Sequence, residues 1–200
     1  IDGGGAAGVA DVEDEGGGRI TLIANDGIGV ADSIEGTGGS VVLDNAAGGD
    51  IRYTEVGGTL ALADAVQREG GNIELISGAD VQILASGSGV RILDSGANDP
   101  DSDITLTAQA GSISVEAPVA LASGNAGAEV VLTANGLSSD ISTSATVSTA
   151  AGAVTLLADD AVTLNGDVSA AGSGAVTVTA DADGLAGDGG GTLTQNGTLD

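Results

Sequence analysis

The chain has no cysteine, histidine, methionine, phenylalanine or tryptophan, and only one tyrosine and two prolines, in 200 residues. Without cysteine or histidine there is no disulfide framework, no zinc or haem site, and no Ser-His or Cys-His couple. All four basic residues are arginines, Arg19, Arg52, Arg68 and Arg91, so a phosphate-binding P-loop lysine and a Schiff base are excluded as well. No apolar run approaches the roughly 18 residues of a membrane span, and membrane insertion of this segment is not expected. With almost no aromatic side chains, the core has to be thin and built from small aliphatic ones.

What is abundant is acid: 29 Asp and Glu against 4 Arg give a net charge of −25. Such a charge repels phosphate backbones and anionic lipid headgroups, so nucleic acid is not an expected partner and cations are. The chain is still apolar enough to fold, with 42% hydrophobic residues and a mean hydropathy of +0.28, which is unlike an acidic disordered tail. The 36 glycines point to many tight turns.

A short strand-like pattern recurs along the sequence, as Ile20-Thr21-Leu22, Val41-Val42-Leu43, Leu60-Ala61-Leu62, Ile73-Glu74-Leu75, Ile104-Thr105-Leu106, Val130-Val131-Leu132, Val154-Thr155-Leu156 and Val176-Thr177-Val178. A second apolar pair follows each, among them Ile28/Val30, Ile51/Tyr53, Val81/Ile83, Ile113/Val115 and Val162/Leu164. A third position then returns at a constant interval, at Ile34, Val119, Val147, Val168 and Leu199. The spacing from Leu60 to Ile73 is short, which points to a register shift near Leu60. Within each piece, apolar and polar residues alternate with the strand period. Only Leu60 to Arg68 has helical character, compatible with a short helical turn.

Three short strands per unit of roughly 20 to 25 residues cannot bury a core alone, but stacked units can. The expected fold is therefore all-β: a right-handed parallel β-helix, or β-solenoid, with about three strands per coil. About eight coils at ~4.8 Å each would make a rod of about 40 Å. Residues 1–200 read as one solenoid segment, an internal piece of a longer protein. Residues 1–19 form a glycine- and acid-rich lead-in, and 94–103, 122–129 and 181–191 are loop insertions.

The units from Gly152 to Ala158 and from Val168 to Ala180 resemble the repeats of filamentous-haemagglutinin-like bacterial exoproteins and autotransporter passengers, and the similarity runs from about Arg19 to Asp200. That resemblance implies a secreted, extracellular, cell-surface protein that acts as a non-catalytic stalk or adhesive rod. Its partners would be other copies, end to end or laterally, or a ligand on a host or neighbouring cell. A self-assembling extracellular filament is the alternative, and a carbohydrate-binding or carbohydrate-active β-helix a further one.

Carboxylate clusters are the candidate metal ligands. Alternate Asp residues separated by glycine allow a loop to fold around calcium, which takes about 6 to 8 oxygens. Asp181, Asp183 and Asp188 form one such set, Asp99, Asp101 and Asp103 with Asp94 a second, and Asp11, Glu13, Asp14 and Glu15 a third. The first lacks the glutamate that closes an EF-hand loop, Thr192 standing in its place, and solvated acidic loops that block edge pairing are the competing expectation. No catalytic residue and no cofactor other than calcium is expected. A glycosidase needs two carboxylates at fixed separation within a sugar-binding surround, and Tyr53 is the only side chain able to stack on a sugar. Thr-x-Thr at Thr105/Thr107, Thr177/Thr179 and Thr192/Thr194 can order water where such ranks align on adjacent coils, but Ile23, Asp44 and Ile76 break the rank. Asn196-Gly197-Thr198 matches a glycosylation sequon.

Overall fold

A computed structural model describes residues 1–3, 10–93, 102–122, 127–184 and 191–200. Every regular element in them is a strand, and every pairing is parallel. Coil 1 holds β1 (Val12–Glu13) and β2 (Arg19–Ala24), coil 2 β3 (Ile34–Thr37) and β4 (Ser40–Asn45), and coil 3 β5 (Ile51–Glu55) and β6 (Leu60–Gln67). Coil 4 has three strands, β7 (Ile73–Ser77), β8 (Val81–Ile83) and β9 (Gly89–Ile92), and coil 5 repeats them as β10 (Ile104–Ala108), β11 (Ile113–Val115) and β12 (Val119–Leu121). Coil 6 has β13 (Glu129–Ala134), β14 (Ile141–Thr143) and β15 (Val147–Thr149), and coil 7 β16 (Ala153–Ala158), β17 (Val162–Leu164) and β18 (Val168–Ala170). The last, partial coil has β19 (Val176–Ala180) and β20 (Leu193–Gln195), with Leu199 bridging to Val168. The result is a parallel β-solenoid of about 7 turns.

The first strands of all coils form one 8-stranded sheet and the remaining strands a 12-stranded one. Along each strand alternate residues point inward, so like positions stack. Tyr53, Leu75, Leu106, Leu132, Leu156 and Val178 make one inner ladder, and Ala108, Ala134, Ala158 and Ala180 another at the strand ends. Short Ala side chains at that edge let the chain turn toward the second sheet. The core is one continuous cluster running the length of the stack.

Three strands per coil holds from coil 4 onward. Coils 1 to 3 have two, and β6 is where the change occurs. Paired with β4 at Ala61–Leu62 and Asp64–Gln67, it divides on its other side between β8, which takes Leu60–Leu62, and β9, which takes Asp64–Gln67. The register slips between Val41 and Val42, so that Ala63 has no opposite number. This extra residue is a β-bulge, which bends a strand and increases its twist. One face thereby becomes two.

The same bulge accounts for two features of the sequence. Leu60 to Arg68 contains no helical turn: it holds the longest strand, and the extra residue shifts the inward positions from Leu60 and Leu62 to Ala65 and Gln67, which imitates a helical spacing. The recurring tripeptides do not all stack together either. Ile20, Val41 and Leu60 lie in the second sheet, whereas Ile73, Ile104, Val130, Val154 and Val176 lie in the first, where Ile73 pairs with Ile51. Val12 and Glu13, inside the lead-in, pair with Gly36 and Thr37.

Candidate functional site

Most described carboxylates with an assigned partner serve the stack itself. At the corner before the first sheet, Asp50 accepts the Asn72 backbone N–H (3.0 Å), the Asn72 side-chain oxygen accepts that of Asp103 (2.8 Å), and Asp103 accepts that of Glu129 (2.8 Å). At the next corner, Asp80 takes the Ser112 N–H (2.8 Å), the Ser112 hydroxyl oxygen that of Asp140 (3.0 Å), and Asp140 that of Ala161 (2.9 Å). At the third, Asp64 takes the Ser88 N–H (2.7 Å) and Asp167 that of Thr198 (2.8 Å). The Thr198 N–H holds the Asp167 carboxyl below its ordinary pKa. Each bond joins one coil to the next, at a corner where a backbone donor has left the sheet ladder and needs an acceptor. Sequence reasoning missed these relays, although the signal is simple for all acceptors but Asp64, which lies inside β6: Asp, Asn or Ser immediately before the first inward residue of a strand.

Among the described residues, no three carboxylates converge on a common point where a metal ion would fit. Of the calcium candidates, Asp103 lies in the first relay. Asp181 sits at a turn with φ 61°, its backbone N–H donating to the Asp160 carbonyl (3.0 Å) and its Oδ1 buried without a partner among the described residues. Asp183 follows in the same turn. Asp94, Asp99, Asp101 and Asp188 lie outside the described residues. In the lead-in, Asp11 accepts the Glu35 N–H (3.1 Å) and Asp14 the Gly16 N–H (3.1 Å).

Tyr53 is fully buried, so it offers no stacking platform for a sugar. Its neighbour Arg52 faces outward between Asp50 (3.4 Å) and Glu74 (3.6 Å). A side chain at Gly36 would strike the Tyr53 ring, so this glycine gives the ring its space. Two residues on, Glu55 also points inward, at a ladder position that later coils give to Ser77 and then to alanine. It is 2% exposed. Its carboxylate accepts the Gly57 N–H (3.2 Å), the Gly38 N–H (3.3 Å) and, more distantly, the Tyr53 hydroxyl (3.5 Å). Burial pushes the Glu55 carboxyl up, and these donors together with Thr37 only partly pull it back. The Tyr53 phenol is raised too, by burial first and by the Glu55 charge second.

A pH dependence follows. A carboxyl whose pKa is higher folded than unfolded adds stability below the ordinary glutamate value of about 4.3, and that stability is lost as pH rises through the folded value. Wild type is therefore expected to lose stability relative to Glu55→Gln as pH is raised from about 4 toward 7. Parallel urea titrations of the two proteins check this, and identical slopes would refute it.

The outer side of the first sheet carries the threonines. Thr105, Val131, Thr155 and Thr177 form one rank and Thr107, Thr133, Leu157 and Thr179 another. The ranks align over four coils, with aliphatic residues at two places. Thr194 stacks on Thr163 in the other sheet, and the sequon residue Asn196 donates its side-chain amide to Asn165 (2.8 Å).

These features define a β-solenoid repeat protein whose corners are stitched by acidic side chains. Among the described residues no helix is long and apolar enough to cross a membrane. No family model, no curated protein and no solved structure matches the chain.

Proposed function

We propose that this segment is the shaft of a secreted surface protein, a non-catalytic stalk or adhesive rod of the filamentous-haemagglutinin-like kind that its repeats resemble. The observation that carries this reading is the unbroken parallel stack, in which nearly every inward side chain serves coil-to-coil contact. Solenoids of this type extend by adding coils without redesigning those already present. A coat of −25 charges keeps such rods apart and soluble in a salt-rich medium, where counterions screen the self-repulsion.

Filament assembly is the second reading. Leu193 and Leu199 stack on Val162 and Val168, yet are 51% and 38% exposed where their partners are buried. A further coil, from the same polypeptide or from another copy, would find a template there.

Electron microscopy of the purified segment separates the readings: short isolated rods are expected for a shaft, long uniform fibres for a filament, and globular particles would refute both. The melting temperature is expected to rise with added salt or Ca²⁺ and to fall on chelation at low ionic strength. A melting temperature indifferent to ionic strength would remove the electrostatic part of the argument.

A further inference from the structure

The outer face of β4, β6 and β9 holds a groove of about 190 Å³ whose lining includes Val42, Asp44, Asp64, Val66, Ser88 and Arg91. Strand register builds it. Val66 lies between Asp44 and Arg91, and Asp64 between Val42 and Gly89, so an apolar floor is bordered by charges of both signs. Arg68 donates to the two Asp44 oxygens from Nε (2.9 Å) and Nη2 (2.7 Å), which neutralises that carboxylate and fixes the guanidinium. Asp64 Oδ1 is engaged by the Ser88 N–H (2.7 Å).

Arg91 is the exception. Its Nε is buried and has no acceptor among the described residues, and no carboxylate among them pairs with it. The neighbouring position on the next coil is Ala120, whose small side chain leaves the groove open on that side. Arg91 nevertheless lines the groove, and the two Nη groups at the end of a guanidinium present a fork that matches a carboxylate through two parallel bonds.

We propose that this groove binds a single carboxylate-bearing sugar ring, a uronic acid unit. Its carboxylate pairs with Arg91, a ring hydroxyl donates to the second oxygen of Asp64, and its apolar edge rests on Val42 and Val66. The volume is well under the roughly 300 Å³ at which drug-sized sites begin, which leaves room for one ring and not for two. Asp64 decides against simpler anions. A bare acidic side chain would bring negative charge to that carboxylate with no donor for it, whereas a sugar ring supplies the donor. The site is independent of the shaft reading, since the groove can bind whether or not the rod is a stalk.

The test is an NMR titration of the intact 200-residue chain with methyl α-galacturonide, methyl α-galactoside and acetate. The galacturonide is expected to shift the Val66, Ser88 and Arg91 amides with a Kd of about 1 mM, in keeping with about −0.3 kcal/mol per ligand atom. The galactoside and acetate should bind at least about tenfold more weakly, one lacking the charge and the other the hydroxyls. Affinity should rise as salt goes from ~10 to ~150 mM, because the Debye length falls from ~30 to ~8 Å and the distant carboxylates are screened while the half-buried contact persists. Arg91→Gln should abolish binding, and Arg91→Lys, which keeps the charge and loses the fork, should weaken it. Ala120→Tyr, which fills the open side and leaves Arg91 itself in place, should also block binding should Arg91→Gln perturb the fold. Equal binding of the galactoside, shifts that survive Arg91→Gln in a folded protein, or no shifts in wild type would each overturn the proposal.

Discussion

Gln67→Glu is expected to unfold the early coils at neutral pH. Gln67 is fully buried at the end of β6. Its amide nitrogen donates to the carbonyls of Ala47 (2.9 Å), Glu69 (2.8 Å) and Gly70, while its oxygen accepts the Asn45 side-chain amide (2.7 Å). Asn45 in turn accepts the Gly27 N–H (2.8 Å) and donates to the Ala47 carbonyl (2.9 Å). A carboxylate in place of the amide would face three carbonyl oxygens with no proton to offer and would be a buried charge without a counterion. Leaving a buried charge uncompensated costs about 3–5 kcal/mol. Acid should restore part of this, since the neutral carboxyl has one O–H to donate. Gln67→Leu, which strands the same carbonyls without adding charge, should cost about 1–3 kcal/mol at any pH. Thermal melts followed by circular dichroism at pH 7 and pH 4 check both, and a Gln67→Glu protein that melts like wild type at pH 7 would show that this network does not hold the early coils.

Leu132→Ala should do comparable damage in a different pattern. Leu132 is fully buried in the inner ladder, between Leu106 and Leu156. Truncating a buried leucine costs about 2–5 kcal/mol, depending on how far the cavity collapses. Because each coil touches only its neighbours, the loss should stay local rather than spread over the rod. Hydrogen exchange should show protection falling most in β10, β13 and β16 and hardly at all in β5. Equal loss everywhere would mean that the stack melts as a single unit.

The later coils were legible from sequence because each inward pair is aliphatic and separated from the next by a clear turn, as in Ile104/Leu106, Ile113/Val115 and Val119/Leu121. The early coils were not. A strand's alternation says which side chains go inward but not which sheet the strand joins, so Ile20, Val41 and Leu60 were indistinguishable from Ile73 and Ile104. Ala63 then added one residue to β6 and gave it a helical spacing. The buried polar residues were equally hidden: Glu55 and Gln67 occupy inward positions, but nothing local marks a Glu or Gln as paired rather than solvated. The acidic clusters read as calcium ligands or as solvated loops, whereas Asp50, Asp80, Asp103 and Asp140 act one at a time as acceptors for the next coil. Nothing next to Arg91 in sequence marks it, because its neighbours Val66 and Ala120 come from other coils.

The division of β6 also bears on mechanics. Coils 1 to 3 hold two strands each, while coils 4 to 7 hold three. A coil joined to its neighbours along two strands resists bending about fewer transverse axes than one joined along three. Sideways force on the shaft would therefore concentrate its flexure on the amino-terminal side of Ala63 and leave the three-stranded portion straight.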